Sequence, residues 1–476
     1  MQRSQNLLKY PIWVPARPPY SARQEGRFVR IRLKIVKMNK KILVGFNSLI
    51  IIGLLFFINH GIQNWQSSNP YDYYQFWVVG QAVRSMELDN IYSLSDRIKI
   101  SREFQNRAQQ SASDLLKRGA KTREILEPGG TPFLYAVFYL ASMGSYDFDY
   151  KVFRLVSLYF YIGSIVALAV ILKFPIWSLA LVTIFFTQSF WPFQIDFEFG
   201  NVGQLQVGCL TLFLLCQKIE GRFSHFIGGF IIGLLVLFKP TLIFCILLLS
   251  IFWLFKGRKK KLFIEFAGIG IALTGGFILP RLLFGNTCTW QSWYETYPSI
   301  LYTNFFLTGG FLGKLLNLKS VPLYGLFGAI LFLLTALFLF WIKLVQKTPN
   351  RREVSSSKGQ LHFWIDEYSV VMLGIGIYLL SGPIVHSHYF LLAVPWALLL
   401  LRPRHLPPFS HYSRYFYWMV FLACIFIALH PIFKKLNLTN YPNHSLWSFG
   451  GIWIFYGLTL MEYYKRKVGG IYRMDV

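Results

Sequence analysis

Apolar runs recur along this chain from residue 42 to residue 462, and Lys and Arg gather in the gaps between them. Few folds can accommodate such a pattern. In hydrocarbon every backbone N–H and C=O must be satisfied inside the chain, so runs of about 17–25 apolar residues become helices. The runs are 42–59, 150–172, 174–190, 200–217, 223–238, 240–255, 262–284, 320–345, 366–383, 388–401, 414–431 and 447–462. Charged residues are 14% of the chain, against about 25% in soluble domains. The spacing predicts an all-α polytopic membrane protein with about 12 transmembrane helices.

The basic clusters test that count. They lie at 1–41, Lys173, Lys218 to Arg222, Lys256 to Lys261, Lys343 to Lys358, Arg402 to Arg404 and Lys465 to Lys467. With twelve crossings all of them fall on one face, which the positive-inside rule makes cytoplasmic, together with both termini. The net charge of +27 is thereby assigned to topology, and it argues against nucleic acid as a partner. Thr131 to Gly144 would reverse every later loop if it crossed. It is short for a span and reads as an interfacial or re-entrant helix. The external face then receives the long 60–149 loop, which is polar enough between Glu87 and Glu127 for one or two short surface helices.

Three segments follow: a basic, Pro-broken cytoplasmic tail 1–41, a transmembrane domain 42–463 that includes the loop 60–149, and a cytoplasmic tail 464–476. Met38 is a second candidate translation start, which would make 1–37 an upstream extension. Four of the five cysteines fall inside apolar runs and Cys288 in a loop, so no disulfide framework is visible. No P-loop, Gly-x-Ser-x-Gly or dinucleotide fingerprint occurs, which argues against an ATP-driven pump, a serine hydrolase and a Rossmann-type nucleotide-sugar site.

The unusual polar residues collect at external ends of the runs. Asp72, among aromatics after the first run, reads first as a helix N-cap and second as a general base toward a hydroxyl. Asp196 and Glu198 would point the same way on an extended backbone and hold a metal or sugar hydroxyls, and Asp147 and Asp149 have the same spacing; either pair reads equally as solvated loop residues. Gln204 enters a span, where its amide needs either a neighbouring helix or a substrate. Lys239, between two apolar runs and opposite to the positive-inside preference, suggests an anionic ligand such as a lipid phosphate, with snorkelling as the competing account. Arg281 has the guanidinium geometry for phosphate. His386 and His388 lack the helical spacing and the nearby Cys of a metal site; they suit phosphate or a leaving group, or they face water as loop residues. Neither a metal nor a cofactor is indicated.

Taken in order, several of these pieces resemble the polytopic GT-C glycosyltransferases, most closely glycosyltransferase family 87, the polyprenol-phosphate-mannose-dependent α-mannosyltransferases. They are Asp72-Tyr73, Gly80-Gln81-Ala82, Asn90-Ile91-Tyr92, Thr131-Pro132-Phe133-Leu134, Gly203-Gln204, Gly228 to Lys239-Pro240, and Ser381 to Tyr389. Two departures are a single proline after Thr131 and Gly382 before Pro383. The resemblance implies a GT-C fold in a bacterial plasma membrane, with the active site on the external, periplasmic face. It implies transfer of a hexose, mannose in the family, from a polyprenyl-phosphate donor to a lipid- or glycan-linked hydroxyl, with inversion. Asp72 is similar in position to the family's catalytic base and His388 to its later external His. Lys239, Arg281, Gln204, His386, Asp196 and Glu198 are then the candidates for donor phosphate and sugar. The rival from the pattern alone is a lipid or anionic-solute transporter or flippase. That reading needs ionisable pairs near mid-membrane and two repeats, whereas here the ionisable residues gather at one face and no repeat is evident.

Overall fold

Every apolar run from 150 to 462 is helical in the computed structural model, which describes residues 69–122, 125–127, 129–296, 311, 321–345, 357–383, 385–403, 411–428 and 446–467. The tail 1–41, Met38, the run 42–59 and residues 468–476 lie outside the described residues, so the expectations about them stay as stated. Among the described residues no strand occurs.

The loop 60–149 supplies four helices: α1 (Tyr71–Ser85), α2 (Leu94–Gln110), α3 (Asp114–Thr122) and α4 (Pro132–Ala141). Helices α2 and α3 occupy the polar stretch expected to carry one or two. The ten-residue α4 is about 15 Å long at 1.5 Å per residue, half of a bilayer core of about 30 Å. Then come α5 (Tyr146–Ile171), α6 (Ile176–Ile184), a π-helical turn (Phe185–Ser189), α7 (Trp191–Phe199), α8 (Gly203–Lys218) and α9 (Arg222–Phe238). The rest are α10 (Ile243–Phe255), α11 (Lys259–Phe284), α12 (Val321–Val345), α13 (Ser357–Ser381), α14 (Ala393–Leu401), α15 (His411–Ala428) and α16 (Leu446–Lys467). Short 3-10 turns, Pro240–Leu242 and Ser387–Leu392, precede α10 and α14.

Fewer of these helices qualify as spans than twelve. Among the described residues, four are long and apolar enough to cross a membrane: α5, α11, α12 and α13. The pair α6–α7, bent by 56°, makes a fifth if taken as one broken span. The difference is one of length. The 13-residue α10 reaches about 20 Å and the 17-residue α9 about 26 Å, short of a bilayer core.

The helices still share one polarity. Lys218 lies over Trp364, Arg258 over Phe363, Lys261 pairs with Glu367, and Arg466 and Lys467 both pair with Asp366. Two basic clusters therefore close on two buried carboxylates of α13, and Lys218 of a third lies beside them. Trp253 Nε1 also donates to Glu367 Oε1 at 2.6 Å, so the buried charge is solvated by protein. Helix α8 runs toward this end, finishing at Lys218, and α9 starts there at Arg222 and runs away, so Gly203 and Lys239 lie at the far end from the basic residues.

Small residues set the spacing between α9 and α11. Gly229 and Gly233 face Gly268 and Ala272, and a Cβ on Gly229 would strike the Glu265 carbonyl oxygen. Such seams let backbones approach where hydrophobic burial gives no preference between lipid and protein. At the other end, α1 packs on α4 and α7, and its Tyr73, Tyr74 and Trp77 meet Tyr146 and Tyr150 of α5 in an aromatic core. Trp77 Nε1 donates to Asp149 Oδ2 at 2.9 Å, fixing α1 to the first turn of α5.

The seam predicts a contrast between two glycines of similar sequence setting. Gly229→Leu should cost about 1–3 kcal/mol by overpacking and lower the thermal midpoint in detergent by several degrees. Gly270→Leu, where an added Cβ meets nothing within 4 Å, should leave it unchanged.

Candidate active site

Helix α7 ends because Gly200 takes a left-handed conformation, φ 66°. A side chain there would also strike Tyr73 Cβ at 2.7 Å, so the glycine both turns the chain and admits α1. One turn earlier, Asp196 is wholly buried and sends its carboxylate across the turn to the start of α8. It accepts from Gly203 N at 3.0 Å, Gln204 N at 3.1 Å and Gln204 Nε2 at 3.2 Å. The first N–H groups of a helix have no partner within it and carry its positive dipole end. Asp196 therefore caps α8, and Gly203 lacks a Cβ where one would meet Asp196 Oδ1.

Asn201 sits in the turn so defined, buried. Its Oδ1 accepts from Val202 N at 2.7 Å and from Lys239 Nζ at 3.0 Å. Its Nδ2 donates to Asp72 Oδ2 at 2.6 Å and lies 3.2 Å from His388 Nε2. Two donors at the oxygen and two acceptors at the nitrogen leave one orientation of the amide consistent with the network.

Each partner is delivered by its own element. Lys239 follows the last residue of α9 with an extended backbone (φ -147°, ψ 121°), as a residue before Pro240 should. Thr131 braces that end: its hydroxyl donates to Leu237 O at 2.6 Å while accepting from Leu134 N to cap α4. The Lys239 ammonium lies 4.4 Å from the Tyr389 ring centroid. Burial pulls its pKa below the usual lysine range, and the carboxylates of Asp196 and Asp72 oppose that pull. His388 is buried on the 3-10 turn and stacks on half-buried His386 with ring centroids 5.3 Å apart. The two rings are nearly parallel, 12° between planes, so they do not converge on a common point as metal ligands would.

Asp72 is not the N-cap of α1. Pro70 holds that position, and Asp72 lies inside the first turn with its carboxylate bonded to Asn201. Asp72 and Lys239 are half-buried above a buried amide, so the carboxylate and the ammonium line an accessible surface whose floor is Asn201. A carboxylate of this kind takes a proton; an ammonium beside it meets negative charge.

The cluster thus gathers Asp72, Asp196, Gln204, Lys239, His386 and His388. Glu198 and Arg281 are exposed, and among the described residues no hydrogen bond or ion pair ties either to the cluster. The extended backbone considered for Asp196 and Glu198 is not found. Residues two apart on a helix point about 200° apart, so one is buried and the other faces outward. Asp147 and Asp149 are not solvated loop residues either: they accept from Ser113 Oγ at 2.6 Å and from Trp77. Asn201 escaped the sequence reading. Its one signal is an amide between a helix-ending glycine and the next apolar run.

The cap predicts non-additive mutants. Gly203→Ala should destabilise the protein by about 1–3 kcal/mol through its clash with the carboxylate, and Asp196→Ala by about 1–2 kcal/mol through loss of the cap. In the double variant the alanine at 203 should cost much less than it does alone, because its obstacle is gone; thermal unfolding of the three variants measures this.

Residues 130–359 match the family model of glycosyltransferase family 87. The match takes in Asp196, Asn201, Gln204, Lys239 and Arg281; Asp72 and His388 lie on either side of it. No curated protein and no solved structure is matched by the chain. The family decides between enzyme and non-catalytic transporter in favour of the enzyme. With its apolar, membrane-length helices and this match to glycosyltransferase family 87 over residues 130–359, the chain is a membrane glycosyltransferase.

Proposed function

We propose that this enzyme moves a hexose, mannose in the first instance, from a polyprenyl-phosphate donor to a hydroxyl of a lipid- or glycan-linked acceptor. The observation that carries the reading is the Asn201 amide, which joins a carboxylate to an ammonium on one accessible surface. The reaction is a single displacement. Asp72 takes the proton of the acceptor hydroxyl, and that oxygen attacks the anomeric carbon. The bond from the carbon to the phosphate oxygen breaks, and its electron pair leaves with the polyprenyl phosphate. Lys239, with His388 and His386 beside it, meets the charge that grows on that phosphate. Inversion converts a β-linked donor into an α-linked product.

The polarity of the bundle supports a site on the external face. The basic clusters collect at the end away from Lys239, and the positive-inside rule makes that end cytoplasmic. Twelve crossings with both termini inside fit this arrangement, the shorter helices crossing with the help of their adjoining turns. A donor with an apolar tail and a charged head suits such a site, because the tail stays in lipid while the head reaches the polar cluster. Gln204 and Asp196 act from behind the surface, through the start of α8. Arg281 and Glu198, exposed as they are, fit contacts to the outer parts of donor and acceptor.

Asp72→Asn should remove transfer from a polyprenyl-phosphate sugar, lowering kcat by about 10²–10⁴-fold as loss of a general base does. The variant should keep the wild-type thermal midpoint within a few degrees. Wild-type rate in a folded Asp72→Asn protein would take the base role away from this residue.

A further inference from the structure

We propose that Asn201 is a positioning residue for sugar transfer: its amide holds Asp72 and His388 at its nitrogen and Lys239 at its oxygen, keeping base and cation in register. The inference rests on the reading of Asp72 as the base.

The geometry is specific. Nδ2 has two hydrogens, and two acceptors lie within hydrogen-bond distance of it, Asp72 Oδ2 at 2.6 Å and His388 Nε2 at 3.2 Å. For both bonds to form, Nε2 of His388 must be unprotonated, so the ring carries its hydrogen on Nδ1. Oδ1 meets Lys239 Nζ at 3.0 Å and is held from the other side by Val202 N at 2.7 Å. The amide is itself immobilised, because the turn that carries it is fixed by Gly200 and by the Asp196 cap.

The amide gives each charged group a fixed neutral partner, its nitrogen donating to Asp72 and its oxygen accepting from Lys239. Lys239, from the end of α9, interacts with both Asp72 and Asp196 and lies over Tyr389, while His388 shares the Asn201 nitrogen with Asp72 and stacks on His386. Asn201 touches Asp72, His388 and Lys239.

The test uses the full-length purified protein in lipid, with a polyprenyl-phosphate sugar as donor, and measures pH–rate profiles for Asn201→Ala, Asn201→Asp and Asp72→Asn. Asn201→Ala should lose at least about tenfold in kcat, with donor KM within about twofold, as loss of an interaction used mainly in the transition state does. Asn201→Asp, the nearly isosteric variant, puts a second carboxylate against Asp72. Like charges raise the proton affinity of the pair, so the acid limb of its profile should move up by about one pH unit or more. Wild-type kcat and profile in both Asn201 variants, with Asp72→Asn inactive, would discard the Asn201 role and leave the base reading standing. Rate losses that only track loss of folded protein, with the acid limb unmoved in Asn201→Asp, would also overturn it. Full activity in Asp72→Asn would remove the base reading and this inference with it.

Discussion

A buried primary amide has four hydrogen-bonding positions to satisfy, and in this protein each one at Asn201 meets a partner. Two are acceptors, Asp72 and His388, and two are donors, Lys239 and the Val202 N–H. Leaving any of them unmet would cost about 1–3 kcal/mol in a buried setting, so the amide constrains the relative placement of α1, the end of α9 and the second 3-10 turn. The supporting devices point back to it. Gly200 turns the chain so that Asn201 faces α1, Asp196 fixes the start of α8, and Thr131 fixes the last carbonyls of α9.

The membrane-type architecture separates two kinds of charge. At one end, basic residues of two clusters close on Asp366 and Glu367, which are buried and paired. Pairs of this sort add little net stability, yet removing one member leaves a buried charge exposed to low dielectric. At the other end the carboxylate and the ammonium both bond the Asn201 amide and remain half-buried. The first arrangement suits a structural lock and the second suits chemistry, and helices α8 and α9 connect the two.

Much of this was legible in the sequence, for physical reasons. A chain that must satisfy its backbone in hydrocarbon advertises its helices as apolar runs, so element type and order could be read directly. Charged residues are scarce beside apolar runs, so Asp72, Lys239 and His388 stand out in the sequence. The number of crossings was less legible, because breaks such as the π-helical turn before α7 and the 3-10 turn before α10 shorten helices without interrupting hydropathy. The roles of single polar residues were harder still. Asp196 looked like half of an acidic pair and caps a helix instead, while Asp72 looked like a cap and lies inside the first turn. Asn201 gave almost no signal, since an asparagine after a glycine is ordinary in a loop and its value lies in partners 38 to 187 residues away.

The most direct test of the account is the stereochemistry and source of the transferred sugar. Purified enzyme would be given a β-linked polyprenyl-phosphate hexose, or separately a nucleotide sugar, together with a hydroxyl acceptor, and the product linkage read by NMR. The account predicts release of polyprenyl phosphate with an α-linked product, and no turnover of the nucleotide sugar. A β-linked product, or transfer from the nucleotide sugar alone, would contradict it.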